Sequence, residues 1–191
     1  MTNIPPVREK VLASALKLFT EKGYFATSMR DITRKSEVST GSVYHHFKDK
    51  EGVADALYQS LVDRMRREFQ HIIDAHHTAH ARCYAVISLL FDIAEKEPHT
   101  MAYMLYTKHR EFLHHELPVC SSEPFKMMRA MVEYGMHSNE IEKRDVMVAS
   151  TCLFGGPLRM ITSHLDGLLE KPLHQYLADT WTCSWKAVAK S

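Results

Sequence analysis

Between residues 39 and 50 the chain gathers side chains suited to gripping a phosphate backbone. Ser39, Thr40, Ser42, Tyr44 and His45 are short or amphipathic hydrogen-bonding groups, and Lys48 and Lys50 follow them. Hydroxyls, a phenol and an imidazole at this spacing can meet phosphate oxygens and base edges, and the two lysines can hold backbone on the far side. Gly41 has no side chain and lets the main chain approach a groove wall closely. Over residues 27 to 50 the basic side chains Arg30, Arg34, Lys35, Lys48 and Lys50 outnumber the acidic Asp31, Glu37 and Asp49, a modest local excess.

Other reactive groups form no comparable pattern. The sequence has no H-E-x-x-H, G-x-S-x-G or G-x-G-x-x-G motif and no phosphate loop, so neither a catalytic residue nor a cofactor is expected, and the chain reads as a non-enzyme. His71, His76, His77 and His80 cluster, and His114 and His115 lie further on. On one helix His76 and His80 would share a face at a metal-ligating spacing. With no carboxylate or cysteine at a reinforcing spacing, these histidines read as solvated polar residues and no metal is expected. Cys83, Cys120, Cys152 and Cys183 stand singly, without a C-x-x-C pair, and read as reduced thiols. Cys120, in PVCSSEP, is the best placed of them for redox sensing.

The grip needs elements to present it. Val11, Leu12, Ala15, Leu18 and Phe19 fall at helical spacing within residues 8–22, and Gly23 is a C-cap. Thr27 or Ser28 can cap a second helix that runs to Ser36 or Glu37, with Asp31 as the capping-box acid. Val38 to Gly41 reads as a tight turn, and Ser42 to Phe47 as a third helix with Val43 and Phe47 on one face. Residues 28–47 therefore form helix, turn and helix, covered by the first helix, which is how a recognition helix is offered to the DNA major groove. Asp49 caps a long helix over Lys50 to Ala75. Further helices are expected over Ala79 to Lys96, Thr100 to His115, Pro124 to His137, Arg144 to Leu169 and Leu173 to Ala189, with a kink at Pro157.

Composition supports an all-α fold of about nine helices. Of 191 residues, 45% are hydrophobic and 25% charged, ordinary globular values, while 7 Gly and 7 Pro are few for an all-β or Gly-loop α/β chain. Net charge is only +1, so attraction to nucleic acid must be local, although 13 His would raise the charge in mild acid. MTNIPPVREK holds no signal-like apolar stretch, and no later run suits a membrane span. A cytoplasmic location without membrane attachment is expected.

The run GYFATSMRDITRKSEVSTGSVYHHFKDKEGVADALY, Gly23 to Tyr58, resembles the DNA-binding domain of TetR-family transcriptional regulators. It carries the Gly-aromatic pair, the Thr/Ser cap, the Arg-Asp-Ile helix, the Val-Ser-x-Gly turn, the Tyr-x-His-Phe recognition helix and the Lys-x-Lys-Glu entry to helix four. Ser36-Glu37 departs from the family's usual Ala-Gly. The resemblance implies a helix-turn-helix domain over 5–65 and a helical ligand-binding and dimerisation domain over 66–191. By position it implies phosphate contacts at Ser28 and Tyr44, base or nearby backbone contacts at Thr40, Ser42 and His45, a phosphate clamp at Lys50, and core roles for Ile32, Val38, Val43 and Phe47.

Two later segments are rich in methionine, which adapts its shape to apolar or aromatic ligands. Tyr103, Met104, Met128, Met131 and Phe154 are the candidate pocket residues. The last two long segments, with Val146, Val148, Leu158, Trp181 and Trp185 among their apolar residues, have enough surface to dimerise, and the resemblance places a four-helix interface there. The expected function is a homodimeric repressor of a palindromic double-stranded operator, released by a small apolar or aromatic effector. The alternative is a DNA-binding dimer whose C-terminal domain docks a protein partner.

Overall fold

The computed structural model describes residues 6–113 and 122–190. His114, His115 and Cys120 lie outside the described residues. Helix α1 (Val7–Lys22) buries Val11, Leu12, Ala15, Leu18 and Phe19 and ends at Gly23, whose φ of 86° suits a residue without Cβ. Helix α2 (Met29–Ser36) opens with a complete capping box. The Ser28 hydroxyl accepts from Asp31 N, and the Asp31 carboxylate accepts from Ser28 N. Its C-cap is Glu37, in the left-handed region at φ 55°.

Helix α3 (Thr40–Phe47) begins earlier than the sequence suggests. Ser39 is its N-cap, accepting from Ser42 N at 3.3 Å, so Thr40 and Gly41 belong to the first helical turn and the connection is only Glu37 to Ser39. Asp49 caps α4 (Lys50–Ala75), 26 residues and about 39 Å long. The first turn of α4 packs so closely on the end of α3 that a Cβ at Gly52 would sit 2.2 Å from Phe47 O.

The remaining helices are α5 (Ala79–Lys96), α6 (Pro98–Tyr106), α7 (Glu123–His137), α8 (Val146–Leu165) and α9 (Leu177–Lys186), with short 3₁₀ turns at His109–Glu111 and Leu173–Tyr176. The fold is all-α, with nine α-helices among the described residues. Pro98 occupies the first turn of α6 instead of a break, and α8 continues through Pro157. The helix expected over Thr100 to His115 stops at Tyr106, after which Thr107 is extended. The chain there turns His109, Phe112 and Leu113 inward, where all three are buried.

Two apolar cores share α4. Val53 to Leu61 pack with α1, α2 and α3, whereas Met65 and Phe69 pack into a larger cluster with α5, α7, α8 and α9. The N-terminal cluster, the head, also takes in Tyr103, Met104, Phe112 and Leu113 from the α6 region. The larger cluster is the core of the body. Arg64 on α4 makes a bidentate pair with Glu97 at 2.6 and 2.7 Å, and this hydrogen bonding holds the Glu97 carboxyl below its ordinary range. Thr20 Oγ1 meets His99 Nδ1 at 2.8 Å, and the Tyr103 hydroxyl donates to Ala54 O at 3.3 Å. Helix α6 is thus bonded to both α1 and α4. None of the described helices is long and apolar enough to cross a membrane.

Candidate nucleic-acid interface

Val43 and Phe47 are buried on the inner side of α3, which leaves its other side to solvent. Thr40, Gly41, Tyr44, His45 and Lys48 are exposed there and Ser42 is half-buried, so these predicted residues share one surface. Tyr44 is 48% exposed, unusual for an aromatic ring with no packing partner to serve. Nothing lies within 4 Å of a Cβ built on Gly41, so the fold itself does not require glycine at that position. Val38, expected in the core, is only half-buried at its edge.

The capping serines have local work. The Ser28 hydroxyl donates to Asp31 Oδ2 at 2.6 Å, and this hydrogen bond is the main reason the Asp31 carboxyl stays below its ordinary range. Both Ser28 and Ser39 are exposed at the mouth of the motif. Lys50 differs from the expectation most. Its ammonium donates to Tyr24 O and Thr27 O, both at 2.9 Å, and lies 4.2 Å from the Tyr24 ring centroid. Burial lowers its pKa. Lys50 therefore staples the α1–α2 loop to the start of α4 and does not extend outward as a free clamp.

Two basic residues belong to this surface and were missed as contact residues. A groove of about 540 Å³ between α2 and α3 is lined by Met29, Arg30, Thr33, Arg34, Thr40 and Tyr44. Arg30 and Arg34 are four residues apart, so one helical turn sets both beside the recognition helix. That spacing was the available signal. Arg34 is held only by an exposed pair with Asp31 at 2.9 Å, which a phosphate can replace at little cost.

The proposed pocket residues are not brought around one cavity. Tyr103 is fully buried in the head's core, where its hydroxyl donates to Ala54 O, and it lines neither apolar cavity. Met104 and Met128 line an apolar cavity with Met65, Phe69, Met101 and Phe125, and its volume is about 40 Å³. Met128 and Phe125 also border a second cleft, of about 160 Å³, with Phe154. Met131 is buried in the body core. Among the described residues, no three His, Cys, Asp or Glu are placed to hold a metal. His80 instead sits edge-on to Trp181 and Trp185, accepting at Nε2 from Trp181 Nε1 at 3.3 Å. Cys83 is buried, which pushes its thiol up to about 12, while Cys152 and Cys183 are exposed.

A capped helix-turn-helix on a small packed head, joined by one long helix to a helical body, defines the helix-turn-helix class of regulators. Residues 11–57 match the family of bacterial regulatory proteins, tetR family. The regulator HbdR of Aromatoleum sp. (strain CIB) is 30% identical over 98 residues, covering 50% of this chain and 43% of that protein. The match thus spans less than half the length of that relative. The fatty acid degradation regulator FadR from Bacillus halodurans superposes with a TM-score of 0.81 at 15% identity, over 96% of this chain and 97% of that one. FadR from Bacillus subtilis, solved in complex with stearoyl-CoA, gives 0.75 at 19% identity, over 92% and 96%. Over residues 11–57 the chain is similar to the TetR family, and over nearly its whole length it has the fold of these solved regulators.

Proposed function

We propose that the protein is a homodimeric transcriptional repressor that reads a palindromic operator and is released by a small apolar ligand. The observation that carries this reading is the exposed polar surface of α3, flanked by the Arg30 and Arg34 groove. One eight-residue helix reads only a few base pairs, so a two-fold pair about 34 Å apart is needed for a specific site. Val148, Cys152 and Gly156 form an exposed row on α8 beside exposed Thr182 and Cys183 on α9, small or apolar residues that suit a symmetric four-helix contact. Such a protein works in the cytoplasm, where bacterial DNA lies.

For release, the wholly apolar wall of the Met104 and Met128 cavity supports an apolar ligand, and the relative solved with stearoyl-CoA has the same fold. At about 40 Å³ the cavity must grow to admit one, by rotation of flexible Met side chains toward the Phe154 cleft. The small volume also favours a second reading, in which the body docks a protein partner in place of an inducer.

A mobility-shift titration with duplexes from the regions flanking the gene tests the first reading. Tyr44→Ala is expected to weaken binding by about tenfold or more and to reduce the salt slope by about one unit. Equal affinity of both proteins refutes the assignment. Sedimentation at micromolar concentration should show a dimer, and a monomer contradicts the two-fold arrangement. Release of bound DNA by stearoyl-CoA or a free fatty acid favours an inducer; no response to any apolar compound favours the docking reading.

A further inference from the structure

A ligand-sized cleft with an aromatic wall lies outside the body core, between the end of α1 and the end of α6. It has a volume of about 390 Å³, in the range of small-molecule sites. One wall is the end of α1 and the loop after it, with Phe19, Tyr24 and Phe25; the other is the end of α6 and its 3₁₀ turn, with Tyr106, Lys108 and Phe112. Tyr24 and Phe112 stack in parallel across this joint, their centroids 3.8 Å apart and their planes 11° off parallel. Phe25 stands edge-on to both rings, at 84° and 88°, yet is 69% exposed. An exposed phenyl beside a stacked pair, with the exposed Tyr106 ring on the other wall, leaves an unfilled place for one more ring.

We propose that this cleft binds a small, planar, uncharged aromatic compound with one hydroxyl or carbonyl substituent. The ring packs against Phe25 and the Tyr24–Phe112 stack. Its substituent faces Thr107 and Lys108 at the rim. Lys108 is balanced there by Glu111 at 3.3 Å, so the rim carries no net charge to attract an ion, and the exposed pair yields a hydrogen bond readily. A compound in the cleft ties the end of α1 to the end of α6. The 3₁₀ turn that carries this wall is held from its inner side by His109, whose ring packs on Tyr58 and Tyr103 while neither of its nitrogens has a hydrogen-bond partner. Ring contacts hold that segment in place with no hydrogen bond from the imidazole.

The test uses the full chain alone, without DNA, so its result is independent of the operator reading. The probes are 2-naphthol, followed by its own fluorescence, and 2-decalol, its saturated counterpart. Saturable 2-naphthol binding is expected, weakened about tenfold in Phe25→Ala and abolished in Ala102→Trp, which fills the cleft. Met128→Trp, which fills the body cavity, should leave it unchanged. Four results overturn the proposal: no saturable binding at millimolar naphthol, equal binding by Phe25→Ala or Ala102→Trp, loss of binding in Met128→Trp, or 2-decalol binding as tightly as 2-naphthol.

Discussion

Helices α2 and α3 of the head, eight residues each, both begin on a serine whose hydroxyl accepts from the backbone of the first turn. Helices α6 and α7 begin with a proline in the first turn and no side-chain cap, while α5 and α8 are capped by Thr78 and Asp145. A short helix cannot meet the cost of nucleation from its own hydrogen bonds, so α2 and α3 each start on a capping residue at a fixed place. Helices α5, α7 and α8 of the body are longer, 18, 15 and 20 residues, and packing of apolar residues supports them over more turns. Helices α2 and α3 are accordingly specified position by position, and the body more by its apolar pattern. The match to the tetR family falls on residues 11–57, which hold α2 and α3.

The largest expected effect sharpens the contrast in function. Tyr44→Ala combined with His45→Ala should weaken operator binding about a thousandfold, at about 1–3 kcal/mol per lost contact, with thermal unfolding unchanged because both side chains are exposed. A comparable loss from any exposed pair on the body would erase the distinction.

The second prediction concerns the joint. His109 is 3% exposed, and burial lowers its pKa from 6.5 to about 4. The unfolded chain therefore takes up a proton between those values that the native state refuses. Stability from this group is complete above 6.5 and falls as pH drops toward 4, by about 3 kcal/mol. The groups around it are the phenols of Tyr58 and Tyr103 and the Phe112 ring. Urea unfolding of His109→Phe should show a shallower decline than the parent across this window. Parallel pH curves would remove His109 as the cause.

Two smaller effects probe the head alone. Gly52→Ala places a methyl against Phe47 O and should cost about 2 kcal/mol, measured by urea unfolding. Glu37→Gly relieves a left-handed residue and should stabilise by about 1 kcal/mol, while leaving DNA affinity undiminished. A destabilised Glu37→Gly would mean that the Glu37 side chain has a role in the turn.

The ends of the head helices are legible in the sequence where local chemistry marks them. Gly23, Ser28 with Asp31, and Asp49 each announce a helix end through local chemistry, and α1, α2 and α4 begin and end within a residue of the expected places. The start of α3 was misplaced because Ser39 serves equally well as a turn residue or a cap, and only its bond to Ser42 N decides. Lys50 was read as a clamp since local sequence gives no hint that Tyr24 O and Thr27 O lie within its reach. In the body, nothing local ends α6 at Tyr106. The chain leaves the helix where His109, Phe112 and Leu113 are buried against the head, long-range contacts that no local residue signals. Tyr103 misled for the same reason, since a buried tyrosine on a methionine-rich helix can serve either core.

The central claim, that paired α3 helices read DNA, is tested most directly by selection of bound sequences from a random duplex pool with the full chain. The account predicts enrichment of an inverted repeat with half-sites about one helical turn apart, and loss of that enrichment in Tyr44→Ala/His45→Ala. Recovery of no sequence above background, or of the same sequence by the double variant, would contradict it.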